Sequence, residues 1–99
     1  MSSAKELVES AIKDNKAVVF SKSYCPYCTK AKRLLDSLNV KYQLYELDQR
    51  DDGSAIQGYL ADKTGQRTVP NIFISQQWVG GCDDLHAKHS NGSLKPLLA

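Results

Sequence analysis

The chain has 99 residues, 41% hydrophobic and 24% charged, with 13 basic and 11 acidic side chains scattered for a net charge of +2. That length holds one core, so residues 1–99 read as a single domain. No basic block argues for nucleic acid. Apolar runs stop at about four residues, far below the ~18–20 of a membrane span, so no membrane partner is expected. Met1 to Glu6 lacks the apolar stretch of a signal peptide. Three cysteines are odd in number and too few for a secreted disulfide framework, which makes the cytoplasm the expected compartment.

In chain order, Ser3 stands three residues before Glu6, a capping-box pattern, and Leu7, Val8, Ala11 and Ile12 recur at helical spacing, predicting a helix over 3–14. Ala17 to Phe20 is a continuous β-favouring run without alternation, as in a central parallel strand covered on both faces. Pro26 suits the first position of a helix and so places Cys25 at the N-cap. Ala31, Leu34, Leu35 and Leu38 continue the stripe until Asn39. Tyr42 to Leu47 reads as a second strand, and Ile56, Tyr59 and Leu60 mark a helix ending before Gly65. Asn71 to Ile74 is a third strand. Gln76-Gln77 then turns into Trp78-Val79 as an antiparallel hairpin. Asp83-Asp84 opens a fourth helix running to about Ser90, since carboxylates stabilise a helix N-terminus, and Leu94, Leu97 and Leu98 suggest a short final one. The order implies an α/β fold: a four-stranded mixed sheet with helices on both faces. Trp78, Phe20 and Phe73 read as core or strand-packing residues, and His86 and His89 as surface residues of a helix.

The chemistry gathers at Cys25-Pro26-Tyr27-Cys28. The thiolate, not the thiol, attacks disulfides, and an N-capping sulfur faces the orphan N–H groups of the first turn, here those of Tyr27 and Cys28. Lys22 adds positive charge on the same loop. Such a setting favours the thiolate and makes Cys25 the nucleophile. Cys28, at i+3 on the same face, can close a disulfide with it as the resolving thiol. Spacing also permits a zinc site that combines the pair with Cys82, His86 or His89. Against it stand the absence of a second Cys-x-x-Cys or His-x-x-x-His pair and the proline that prepares Cys25 as a cap.

With that motif after a strand, Thr68-Val69-Pro70 before the third strand and Gly80-Gly81-Cys82-Asp83-Asp84 after the hairpin, the chain resembles a dithiol glutaredoxin from about residue 4 to 98. The resemblance implies a thioredoxin-like fold, three-layered α/β/α with about five helices. It also implies reduction of protein disulfides and glutathione mixed disulfides, with glutathione as electron-donating co-substrate. By that resemblance Lys22 and Gln57 bind the glycine carboxylate of glutathione with Arg67 as a cationic helper. Val69, before a cis Pro70, pairs its backbone with the cysteinyl part, with Thr68 and Tyr27 beside the ligand. Gly80-Gly81 allows a close backbone approach, with Gly81 beside the ligand. The N–H of Cys82 and the side chain of Asp83 hold the γ-glutamyl end, while Asp84 caps the helix. It implies a monomer with no tightly bound cofactor and no metal, acting on glutathionylated or disulfide-containing proteins. Some relatives hold an iron–sulfur cluster between two subunits, a use that the stiff Pro26 disfavours.

Overall fold

The computed structural model of the chain describes residues 3–99. Helix α1 spans Ser3–Asp14, with Ser3 already helical, and strand β1 spans Ala17–Ser21. Helix α2 covers Pro26–Ser37, closed by Leu38 and by Asn39 at φ 58°. Strand β2 is Gln43–Glu46, shorter than the predicted stretch, because Leu47 turns into a single 3-10 turn, Leu47–Gln49, and buries its side chain. Helix α3 runs Gly53–Thr64 and stops at Gly65 in the left-handed conformation. Strands β3 (Asn71–Ile74) and β4 (Gln77–Gly80) precede α4 (Cys82–Asn91) and α5 (Leu94–Leu98).

The sheet order is β2-β1-β3-β4. The central strand β1 is parallel to β2 and antiparallel to β3, so the sheet is mixed, as its sequence implied. Every residue of β1 is buried because both faces are covered. Ala17 and Val19 pack with Ala31, Leu35 and Leu85 under α2 and α4. Val18 and Phe20 pack with Val8, Ile12, Ile56 and Leu60 under α1 and α3. Alternation along one strand thus feeds two cores, and the molecule has three layers. Each large aliphatic side chain so buried contributes about 1.5–3 kcal/mol. Phe20 stacks on Tyr45 at 5.4 Å between centroids and meets Phe73 edge-on at 6.2 Å.

Two expectations need correction at the hairpin. The turn is Ser75-Gln76, with φ of 51° and 65°, and Gln77 already pairs with Ile74. Positive φ at both turn positions matches the strand twist, yet neither residue is the Gly or Asn that normally announces such a turn. Trp78 is not a core residue: on the edge strand β4 it is 47% exposed, and its indole N–H donates to Asn71 Oδ1 at 2.9 Å. Among the described residues no helix is long and apolar enough to cross a membrane.

Candidate active site

Strand β1 delivers the chain to a short loop that presents Cys25. The Cys25 N–H donates to Lys22 O at 3.0 Å, closing a turn. Asp48, in the 3-10 turn, holds that turn from outside, accepting from Ser23 N at 2.9 Å and from the Ser23 hydroxyl. These bonds pull its carboxyl below the usual range, with the nearby Lys22 charge acting in the same direction. Cys25 is the N-cap of α2 at φ −85°, ψ 119°, and Pro26 follows in the first turn. Thr29 fixes the same corner, its N–H reaching Cys25 O at 3.1 Å and its hydroxyl at 3.3 Å.

The sulfur of Cys25 does not make the expected capping bonds to the first turn. Its Sγ instead lies 3.8 Å from Val69 O, the thiol donating to a carbonyl 44 residues away. A thiol has a hydrogen to place and takes the acceptor, whereas N–H donors at a helix end reward a sulfur that has lost it. Cys25 is half-buried, while Cys28 and Cys82 are buried, and all three are free. Burial pushes the Cys28 thiol up, and the neighbouring Cys25 adds to this. Hydrogen bonds from the Ser21 side chain and the Lys22 backbone work against it. One sulfur is reachable and the other is kept protonated behind it. Burial likewise raises Cys82.

Next to Cys25 lies a cleft of about 380 Å³. It is lined by Tyr27 from α2, by Thr68, Val69 and Pro70, and by Gly81, Cys82 and Asp83 at the start of α4. The Val69–Pro70 bond is cis, as the resemblance implied. Gln57 and Arg67 lie in an adjoining hollow of about 330 Å³, the Gln57 amide donating to Arg67 O at 2.6 Å. Lys22 borders neither hollow and meets the site through its backbone carbonyl.

Gly80, the last residue of β4, and Gly81, the N-cap of α4, divide their work differently from the expectation of a shared close approach. Gly80 has φ 113°, and a Cβ there would lie 2.3 Å from Asp84 Oδ2. Asp84 needs that space because its Oδ2 accepts the Gly81 N–H at 2.9 Å, capping α4. Gly81 has an ordinary extended φ of −97°, and its Cβ would meet nothing nearer than Pro70 O at 3.6 Å. Asp84 is the cap, which leaves Asp83 exposed on the cleft.

Two residues were missed by the sequence reading. Ser21 is fully buried at the end of an apolar strand and contacts Cys28. Gln66 lines the cleft, its Nε2 donating to Thr68 O and to Pro70 O, both at 2.9 Å, so it clamps the loop on either side of Val69. The buried serine left no sequence signal beyond a polar residue closing a hydrophobic run, and Gln66 left none. Among the described residues no group of three or more His, Cys, Asp or Glu side chains could hold a metal ion. His86 is half-buried rather than fully on the surface, whereas His89 is exposed.

Comparison with known proteins agrees with this geometry. The family model described as Glutaredoxin matches residues 17–79. The glutaredoxin of Ricinus communis is 59% identical over 98 residues, covering 99% of this chain and 92% of that one. Glutaredoxin-1 of Rhizophagus irregularis is 56% identical, covering 100% of this chain and 98% of its own length. A buckwheat glutaredoxin, solved as a complex with glutathione, superposes with a TM-score of 0.94 at 49% identity, over 96% of this chain and 86% of that one. The sheet, helices and Cys-Pro-Tyr-Cys corner are therefore those of a thioredoxin-like fold, and the chain belongs to the glutaredoxin family of oxidoreductases.

Proposed function

We propose that this chain is a glutathione-dependent thiol-disulfide oxidoreductase that reduces protein disulfides and removes glutathione from mixed disulfides. The observation that carries it is the pairing of a half-buried Cys25, at the edge of a cleft, with a buried Cys28 behind it. In the dithiol route the Cys25 thiolate attacks one sulfur of the substrate disulfide, and the other sulfur leaves as a thiolate that takes up a proton. Cys28 then loses its proton and attacks Cys25, releasing the second substrate thiol and closing the Cys25–Cys28 disulfide. Two glutathione molecules return the two electrons and leave as glutathione disulfide. In the monothiol route Cys25 takes the glutathionyl group from a protein, which leaves as its thiol. A second glutathione then attacks that group and restores Cys25.

The cleft suits glutathione, a ligand with two carboxylates, one ammonium and a peptide backbone. The Val69 backbone, whose carbonyl lies 3.8 Å from the Cys25 sulfur in a loop clamped by Gln66, is assigned to pair with the extended peptide of the ligand. Asp83 offers a carboxylate to the γ-glutamyl ammonium, and Cys82 an N–H at the start of α4 to its carboxylate. Lys22, Gln57 and Arg67 are assigned to the glycine carboxylate, which requires the ligand to reach from the cleft toward the adjoining hollow. The buckwheat complex with glutathione supports the same ligand here. The enzyme is assigned to electron transport and redox homeostasis in the cytoplasm, as a monomer without a tightly bound cofactor.

The test is a glutathione-coupled reduction assay on three proteins. Cys25→Ser loses all turnover. Cys28→Ser keeps reduction of glutathione mixed disulfides and loses the dithiol route to protein disulfides. Full activity in Cys25→Ser overturns the mechanism.

A further inference from the structure

Two concavities meet the start of α2. One is the cleft already described; the other, of about 670 Å³, lies along α2 and the start of α4 and is lined by Tyr24, Pro26, Lys30, Arg33, Leu34 and His86. Tyr24 and Pro26 are the two neighbours of Cys25 in the chain, so a polypeptide joined to that sulfur has this groove within reach. Among the described residues, several of its charged and polar groups have no hydrogen-bond or ion-pair partner. Tyr24 is 71% exposed and belongs to neither core. Lys30 and Arg33 are exposed, and among the described residues neither forms an ion pair. Asp36, the next acid along α2, faces the Tyr42 hydroxyl instead. His86 Nε2 is buried without a hydrogen-bond partner, an uncommon state in folded proteins. The neighbouring cleft has the opposite charge, with Asp83 and Asp84 along it.

We propose that this groove docks the acidic flank of a protein substrate, a segment carrying Asp or Glu beside the disulfide cysteine that Cys25 attacks. Arg33 and Lys30 meet the carboxylates, Arg33 with the fork that grips a carboxylate at two points. The Tyr24 ring and Leu34 take the apolar part of the segment. The charge contrast between groove and cleft sets direction: acidic residues go toward Arg33, away from Asp83. Complementary charge of this kind raises encounter rates and selects partners more than it tightens binding. The inference rests on the proposed reduction of protein disulfides.

The experiment uses pre-reduced protein in single turnover, without glutathione. Its substrates are disulfide-linked homodimers of one short peptide whose cysteine is flanked by Glu, by Gln or by Lys. Each rate is divided by that of the same peptide with dithiothreitol, which removes differences in intrinsic disulfide reactivity. The Glu peptide is expected to react roughly fivefold faster than the Gln peptide at low salt, and the gap to close near 0.5 M salt, where the Debye length is about 4 Å against about 30 Å at 0.01 M. The Lys30→Gln/Arg33→Gln variant should reduce the Gln peptide at the wild-type rate and treat Glu and Gln peptides alike. Equal normalised rates for all three peptides with the wild type, or a preference that survives in the variant, overturn the docking surface alone. Failure of wild type to reduce even the Gln peptide overturns the disulfide-reduction reading, and the docking surface with it.

Discussion

Gly80→Ala is the substitution whose cost the structure defines most directly. A non-glycine residue held at φ 113° is strained by about 1–3 kcal/mol. Its Cβ would also stand 2.3 Å from Asp84 Oδ2 and 2.8 Å from Asp84 Cγ, so the carboxylate must leave. That breaks the 2.9 Å bond to Gly81 N, an N-cap worth about 0.5–2 kcal/mol. The sum is roughly 1.5–5 kcal/mol, a large part of the 5–15 kcal/mol typical of a domain. Urea denaturation should show a lower midpoint with an unchanged slope. Asp84→Ala alone should cost only the cap. Cutting Asp84 back removes the two nearest contacts and leaves its Cβ at 3.1 Å, so Gly80→Ala/Asp84→Ala should be less destabilised than the sum of the single variants. Gly81→Ala is the contrasting control: with φ −97° and 3.6 Å of clearance it should stay within about 0.5 kcal/mol of wild type, while its new methyl narrows the cleft and raises KM for a glutathione mixed disulfide. If Gly80→Ala and Gly81→Ala proved equally stable, the assignment of the strained position to Gly80 would be refuted.

Ser21→Ala removes a hydrogen bond that lowers the Cys28 pKa against the dominant effect of burial. The pH profile of the dithiol route should therefore move to higher pH, and the monothiol route measured in Cys28→Ser should not move; coincident dithiol profiles would count against Ser21. Gln66→Ala frees the carbonyls on both sides of Val69, bonds worth about 0.5–1.5 kcal/mol each. KM for the glutathione mixed disulfide should rise several-fold with kcat little changed, and an unchanged KM would show that the loop holds itself. Hydrogen bonds from Lys63 and then Tyr59 depress the Glu9 pKa in the fold. Its stabilisation is present above the ordinary carboxyl pKa of 4.5 and is lost as pH falls through the folded value. Glu9→Gln should thus lose less stability than wild type between neutral pH and about pH 3, by at most ~1 kcal/mol because the pair is partly exposed. Equal acid losses in thermal melts at both pH values would sink this reading.

What could be read from the sequence is what is local. A proline at the first helical position and two cysteines three apart place a reactive corner without any tertiary knowledge, and the apolar run of β1 announces a strand covered on both faces. The Ser75-Gln76 turn was placed one residue late because its conformation is imposed by the strands and by the 2.7 Å bond from Ser75 N to Lys16 O, not by its own residue types. Ser21 and Gln66 were missed for a related reason: each acts through a distance that only the folded chain sets. The same division runs through Cys25 itself. Its position as a helix cap follows from Pro26, but its sulfur lies against Val69 O, across the cleft edge from a loop 44 residues on. The sulfur bonded to that carbonyl leaves the helix donors unused. The ligand pairing proposed for the Val69 backbone would use this same loop, which already holds the Cys25 sulfur. The proline motif supplies a nucleophile, and the loop held by Gln66 governs the setting in which that nucleophile meets its substrate.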